Sequence, residues 1–141
     1  MSWLLDTCVI SELIRPTPKA SVVSWIRERN EDELFLSVIT IGELEKGIAK
    51  LPDSAKRANL EQWVRRELAE RFRDRLVVSD AGVAARWGGI VGVAEARGQP
   101  LPVIDSLIAA RSLQHDLTVV TRNADDLERC GARFFNPCLG K

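Results

Sequence analysis

The sequence predicts an α/β fold in which helices alternate with the strands of a mostly parallel sheet. Apolar runs of two to five residues recur along the chain, and segments with helical periodicity separate them. The breaks between these segments are short, and neither a repeat nor a low-complexity tract interrupts them. We therefore expect residues 1–141 to form a single α/β domain with a mostly parallel sheet of four to five strands.

The predicted strands are continuous apolar runs rather than alternating ones. Such runs are typical of parallel strands that helices cover on both faces. The sequence places them at Trp3–Leu5, Leu34–Val38, Leu76–Val78, Thr118–Thr121 and Phe134–Phe135.

The predicted helices have apolar residues at every third or fourth position. In Ser21–Arg29, for example, Val22, Trp25 and Ile26 fall on one face. The turn at residues 98–102 separates the last two long helices. Helices are expected directly after Asp6 and at Ser21–Arg29, Thr40–Lys50, Asp53–Arg73, Asp80–Arg97 and Asp105–His115.

The composition argues against several classes of protein. The chain has 20 Lys+Arg and 20 Asp+Glu residues, so no global positive charge attracts nucleic acid or anionic membranes. No apolar stretch approaches the ~20 residues of a membrane-spanning helix. Asp6 interrupts the short apolar run at the N-terminus, which is atypical of a signal peptide. Because the three cysteines form no C-x-x-C pair, a reduced cytoplasm is the expected location.

Three acidic residues lie where predicted strands and helices meet. Asp6 ends the first strand, and Glu43 lies in the first turn of the helix after Leu34–Val38. Asp105 opens the helix that leads into Thr118–Thr121. Ligands of parallel sheets bind beyond the carboxyl ends of the strands. The three carboxylates are therefore candidate ligands at one edge of the sheet.

Helix capping is the competing explanation for these acids. Acidic residues are common at helix N-termini, and Asp105 is able to cap its own helix. Thr40 and Glu43 have capping-box spacing, in which Glu43 accepts a hydrogen bond from the Thr40 backbone N–H. Apolar neighbours on both sides of Asp6 and Asp105 favour instead an enclosed pocket, where ionised carboxylates require a cation. Both explanations remain open from the residues alone.

If the acids converge, their chemistry favours a particular kind of cation. Repulsion between them raises their pKa values, and a divalent cation reverses that effect. Oxygen ligands without His or Cys favour Mg²⁺ or Mn²⁺ over Zn²⁺, and Mg²⁺ commonly recruits substrate phosphate. Gly42 and Gly47 flank Glu43 and leave space either for a ligand or for close packing. His115, the only histidine, is expected at the surface.

Several blocks of the chain carry a family resemblance. LLDTCVISEL, SVITIGELEKGI and LPVIDSLIAARSLQHDLTVVTRN, followed by residues 125–127 (DDL), resemble the PIN-domain ribonucleases, and most of all the VapC-type toxins of bacterial type II toxin–antitoxin systems. The resemblance spans nearly the whole chain. It implies a PIN-like α/β/α fold and Mg²⁺- or Mn²⁺-dependent endonucleolytic cleavage of RNA, such as tRNA or another structured RNA. It also implies that Asp6, Glu43 and Asp105 are the metal ligands, and that an antitoxin and a homodimeric assembly are partners.

One block departs from the family pattern. Where many members have a fourth acid after the last central strand, this chain has Thr121-Arg122-Asn123, with Asp126 three residues later. Asn123 and Asp126 are both candidates for the catalytic position, or they cap the next helix as a pair. Thr7 either positions a carboxylate, a water or the RNA, or bonds the backbone of its own first turn.

Other residues are candidates for contacts with partners. Arg122, beside the acids, is the strongest candidate for an RNA phosphate contact among the basic residues. Tryptophans at helical core spacing are expected to be buried, or else to line a groove for the antitoxin. The candidate phosphate contacts are Arg15, Lys19, Arg86, Arg97, Arg111 and Arg122. The tryptophans are Trp25, Trp63 and Trp87, and the candidate homodimer patch is Val83, Trp87, Gly88, Gly89 and Val91.

Two other functions fit parts of the sequence. Asn123 in place of an acid favours a weakly catalytic or non-catalytic module that binds its antitoxin and supports operator-DNA binding by the complex. A phosphatase with Asp6 as nucleophile is less favoured, because the sequence after Asp6 lacks the second acid of a D-x-D pattern.

Overall fold

Five parallel strands form one sheet in the computed structural model, which describes residues 1–141. The strand order is β3-β2-β1-β4-β5, and every neighbouring pair is parallel. This confirms the predicted α/β class, and each observed strand lies within a predicted one. The strands are β1 (Trp3–Leu5), β2 (Leu34–Ser37), β3 (Leu76–Val77), β4 (Thr118–Val120) and β5 (Phe134–Phe135).

Every α-helix except α8 overlaps a predicted segment, but several begin or end at different residues. The predicted helix Asp53–Arg73 is divided by a π-helical stretch, Trp63–Leu68, whose Val64 and Leu68 are buried. A short 3₁₀ turn, Glu31–Glu33, precedes β2. The α-helices are α1 (Thr7–Leu13), α2 (Ala20–Arg27), α3 (Val38–Ala49), α4 (Ala55–Gln62), α5 (Ala69–Arg71), α6 (Ala81–Ala96), α7 (Val103–Gln114) and α8 (Ala124–Arg129).

The core has two parts, one on each face of the sheet. Leu5 packs with residues of α1, α2, α3 and the π-helical stretch, whereas its neighbour Leu4 packs with residues of α7 and α8. Successive side chains of a strand point to opposite faces, so both faces of β1 must be apolar. This explains why the strands appear in the sequence as short continuous apolar runs.

The position of β1 determines where ligands have access. β1 and β4 are neighbours, and the chain leaves β1 toward β2 but leaves β4 toward β5, so these two connections run in opposite directions. In open parallel sheets such a reversal opens a crevice beyond the carboxyl ends of the strands. Asp6 directly follows β1, and Thr121 directly follows β4, at this edge.

Some predicted surface and core assignments require correction. Trp25 is buried, as expected, but Trp63 and Trp87 are only half-buried. Val83 has no exposed surface, so it belongs to the core and not to a homodimer patch. Arg111 also has no exposed surface and cannot contact an RNA phosphate in this conformation. No helix has the length and apolar character needed to span a membrane.

A candidate active site at the carboxyl edge of the sheet

Asp6 is held rigidly between β1 and α1. Its backbone N–H donates to Val120 O (3.0 Å), which continues the pairing of β1 with β4. Its Oδ1 accepts the Thr7 backbone N–H (2.8 Å), and its Oδ2 accepts the Thr121 hydroxyl (2.7 Å). The residue is 6% exposed. Asp6 therefore caps α1 and also presents a fixed, nearly buried carboxylate to the crevice.

Thr121 is a member of the site that the sequence analysis did not identify. It is fully buried at the end of β4, and its hydroxyl lies between Asp6 and the Asn123 backbone N–H, which donates to it (3.0 Å). The strand register contained the signal, because Leu5 pairs with Val120 and the residues that follow each must be neighbours. A pairing between β1 and β4 was not part of the sequence prediction.

Glu43 is not part of a capping box. α3 begins at Val38, and Ser37 caps it by accepting the Ile39 N–H (3.1 Å). Glu43 therefore lies in the second turn of α3, too far along for the predicted bond to the Thr40 N–H. Its Oε1 accepts the Thr7 hydroxyl instead, at 2.6 Å.

Thr7 connects α1 to α3. Besides donating to Glu43, its hydroxyl lies 3.1 Å from the hydroxyl of Thr40, which is fully buried inside α3. The alternative prediction, a hydrogen bond from the Thr7 side chain to the backbone of its own turn, is therefore wrong for this conformation. Thr7 fixes the direction of the Glu43 carboxylate relative to Asp6.

Asp105 lies among the other acids and not at a helix cap. α7 begins at Val103, with Pro102 in the N-cap position, so the predicted capping role of Asp105 is wrong. Burial raises the pKa of Asp105 to about 6, with further contributions from the charges of Asp6, Asp126 and Glu43 and from a hydrogen bond with Asp126. Four carboxylates from four parts of the chain therefore interact at one edge of the sheet.

Of the two candidates after β4, Asp126 is the one whose carboxylate contacts another acid. It hydrogen-bonds to Asp105 and pairs with Arg129 Nη1 at 3.1 Å. Asn123 is exposed, and its side chain makes no capping hydrogen bond to α8. The predicted capping pair of Asn123 and Asp126 is therefore wrong.

The donor chemistry of this cluster fits a hard divalent cation. No three His, Cys, Asp or Glu side chains lie close enough together to enclose an ion by themselves. Mg²⁺ and Mn²⁺ do not need such a cage, because Mg²⁺ is commonly held by one or two carboxylates together with waters and substrate phosphates. Burial first, and then electrostatic repulsion from the neighbouring charges of Asp6, Asp126 and Glu43, raise the pKa of Asp105 by making its ionised form unfavourable here. A divalent cation would relieve that repulsion.

A groove of about 830 Å³ extends from the acids between α1, α3, α4 and the π-helical stretch. Thr7 and Glu43 lie in its wall, half of its other lining residues are aliphatic, and Arg15, Lys56 and Asn59 are among the rest. Gly47 also lines it, and a Cβ added at Gly42 or Gly47 would meet no atom within 4 Å. The prediction that these glycines leave space is therefore confirmed, and the alternative of close backbone packing is wrong. The aliphatic residues are Ile14, Leu44, Ile48, Leu51, Leu60 and Val64.

The basic residues differ in their relation to the site. Arg122 adjoins Thr121 and is half-exposed, and Arg15 lines the groove. Lys19, Arg86 and Arg97 are exposed, but none of them forms an ion pair with a site carboxylate. His115 is exposed, as predicted.

Comparison with known proteins assigns the chain to a family. The PIN domain family model matches residues 3–132. The chain is 36% identical over 134 residues to "Toxin FitB" of Neisseria gonorrhoeae, with 95% of this chain and 96% of the relative covered. It is 30% identical over 134 residues to "VapC ribonuclease Y4jK" of Sinorhizobium fredii, with the same coverage.

Solved structures agree with this assignment. The crystal structure of FitAcB from Neisseria gonorrhoeae superposes with a TM-score of 0.90 at 35% identity, covering 96% of this chain and 98% of that one. The DNA-bound VapBC of Salmonella typhimurium gives a TM-score of 0.80 at 25% identity, covering 98% and 99%. The chain belongs to the PIN domain family, as its resemblance to VapC-type toxins implied.

Proposed function

We propose that this PIN-domain chain is the endoribonuclease toxin of a toxin–antitoxin pair and that its activity requires Mg²⁺ or Mn²⁺. The observation that carries this proposal is the group of four interacting carboxylates at the sheet edge, centred on Asp105 with its raised pKa. Relatives named as a toxin and as ribonucleases, similar over most of their length, support the same activity.

Each acid has a distinct task in the proposed mechanism. Asp6 is the rigid ligand, because two hydrogen bonds fix its carboxylate before any cation binds. Asp105, whose pKa is raised by burial and by its acidic neighbours, and the adjacent Asp126 would help to hold the cation. Glu43, oriented by Thr7, lies in the groove wall and would hold the attacking water. A bound divalent metal would supply the charge that activates this water and stabilises the departing oxygen.

Cleavage of total cellular RNA, tRNA included, tests this activity. Antitoxin-free protein is incubated with Mg²⁺, Mn²⁺ or EDTA, beside Asp6→Asn and beside Asp74→Asn as a matched surface control. Asp74 is exposed and forms no ion pair. Discrete fragments are expected with the metals and with the control, and none with EDTA or with Asp6→Asn. Absence of cleavage under every condition would instead favour a regulatory module that binds its antitoxin.

The groove beside the acids is the proposed docking surface for a segment of the antitoxin. The structural neighbours at 25% identity or more include FitAB bound to DNA and DNA-bound VapBC. The lining of the groove combines six aliphatic residues with the acid Glu43 and the bases Arg15 and Lys56. An apolar helix or extended segment that ends in a basic side chain would match it and would block access to the carboxylates.

Filling the groove from within tests this docking surface. Gly47→Met places a side chain in the open groove and removes a helix-interior glycine, so the fold is retained. Antitoxin affinity is expected to fall at least tenfold, and co-expressed antitoxin should no longer protect cells. Ala49→Met, on an exposed position of the same helix that does not line the groove, is the control. Unchanged antitoxin affinity of Gly47→Met would place the antitoxin elsewhere.

A further inference from the structure

A fifth acidic side chain is buried close to the site but does not belong to the carboxylate cluster. Glu12, on α1, is 7% exposed. Its Oε1 accepts the Lys19 backbone N–H (2.8 Å), which closes the loop between α1 and α2. Its Oε2 lies 3.5 Å from Arg15 Nη1 and 3.7 Å from Arg122 Nη1. Polar and cationic partners such as these replace the water that a deeply buried carboxylate loses.

The two arginines that face Glu12 are largely free for other contacts. Their side chains are 56% exposed in Arg15 and 45% exposed in Arg122, and neither has another ion pair or side-chain hydrogen bond. Arg71, by contrast, directs two donors at the carboxylate of Glu31. Each guanidinium carries five N–H donors, so most donors of Arg15 and Arg122 remain available for phosphate oxygens.

The positions of these arginines relate them to the carboxylates. Arg122 directly follows Thr121, whose hydroxyl binds Asp6. Arg15 lines the groove that has Glu43 in its wall. Both guanidinium groups therefore lie near a single carboxylate oxygen, Glu12 Oε2, one in a residue that lines the groove and the other in a residue adjoining Thr121. RNA is a polyanion, and the chain has a net charge of zero, so its approach to four acids needs cations placed locally.

We propose that Glu12 is a positioning residue that holds Arg15 and Arg122 as a two-armed clamp for RNA phosphates next to the cleaved bond. This inference rests on the proposed endoribonuclease function. Glu12 does not touch the RNA. It restricts two long side chains in the free protein, so that less conformational freedom is lost when they bind phosphate.

Binding of RNA without metal tests the clamp separately from catalysis. The probe is a fluorescein-labelled tRNA pool, titrated with full-length, antitoxin-free protein in EDTA over a range of salt concentrations. Arg15→Gln and Arg122→Gln are each expected to weaken binding about tenfold, as for loss of a charge-assisted hydrogen bond. Each should also lower the salt dependence of log K by roughly one phosphate contact.

Glu12→Gln gives the most discriminating result. The amide oxygen can still accept the Lys19 N–H, so the loop stays closed. If Glu12 affects RNA only through long-range electrostatic repulsion, removing its negative charge should tighten RNA binding. The clamp predicts the opposite, a several-fold weaker affinity and a raised KM with little change in kcat. Glu95→Gln, an exposed site on α6, is the matched control that removes the same charge without weakening binding.

A combined variant and the wild type separate the possible outcomes. In an Arg15→Gln/Arg122→Gln background, Glu12→Gln should have no further effect on affinity. Wild-type affinity for Glu12→Gln would overturn the clamp. If Glu12→Gln does not fold, the clamp would also be overturned by single variants Arg15→Gln and Arg122→Gln that both bind RNA with wild-type affinity. If the wild-type protein cuts RNA and these variants bind RNA as tightly as it does, only the clamp is contradicted. If the wild-type protein neither binds nor cuts RNA, the proposed function itself is contradicted.

Discussion

Replacement of Asp105 by asparagine is expected to stabilise the metal-free protein while removing its activity. The pKa of Asp105 is raised from its ordinary value of 3.8 to about 6. A raised pKa in the folded state means that stability is fully present below pH 3.8 and is lost as the pH rises through about 6. The full shift corresponds to about 3 kcal/mol. Solvent contact of this half-buried carboxyl reduces that value to about 1–2 kcal/mol at neutral pH.

Thermal and urea unfolding in EDTA measure this effect. At pH 7.5, Asp105→Asn should unfold about 5 °C above the wild type, and its advantage should be smaller at pH 4.5. The exposed control Asp74→Asn should show no such advantage. Millimolar Mn²⁺ should raise the wild-type melting temperature and leave that of Asp105→Asn nearly unchanged. An Asp105→Asn protein no more stable than the wild type at pH 7.5, or equally favoured at both pH values, would refute the inferred crowding of carboxylates.

Three further substitutions test other parts of the structure. Arg111 is fully buried, and two of its guanidinium nitrogens have no hydrogen-bond partner. Arg111→Met should therefore raise the free energy of unfolding, measured by urea titration, by about 1–3 kcal/mol. A loss of stability would show that the guanidinium has a partner. Thr121→Val removes the hydroxyl that donates to Asp6. It should lower the free energy of unfolding by about 1–2 kcal/mol and lower kcat at least tenfold, whereas Thr121→Ser should retain most of the wild-type stability and kcat. Thr7→Val frees the Glu43 carboxylate and should lower kcat about tenfold in RNA cleavage, and equal activity of Thr7→Val and Thr7→Ser would exclude this orienting role.

The strands could be predicted almost to the residue because burial on both faces requires short runs of apolar residues, which are visible in the local sequence. A parallel strand covered by helices must be apolar on both faces, so runs such as Trp3–Leu5 are unmistakable without knowledge of their partners. The order β3-β2-β1-β4-β5 has no such local signal. It depends on which strands meet across more than a hundred residues of sequence.

The helix starts were less predictable, and they decided the interpretation of the acids. Ser37 and Thr40 are both good N-cap residues, and Pro102 and Asp105 are both common at helix starts. In the structure, α3 begins after Ser37 and α7 begins after Pro102. Glu43 and Asp105 therefore have no capping roles. Local capping preferences differ by too little to choose between positions three residues apart, and tertiary packing makes the choice.

The sequence by itself indicated the fold class, the family and the candidate ligands Asp6, Glu43 and Asp105, because these depend on residue type and short-range spacing. Only the tertiary structure decided that Asp126 contacts Asp105, that Thr121 fixes Asp6 and that Glu12 joins Arg15 to Arg122. The partners in the second of these contacts lie 115 residues apart. Their proximity is a consequence of sheet order and helix packing, which no local pattern encodes.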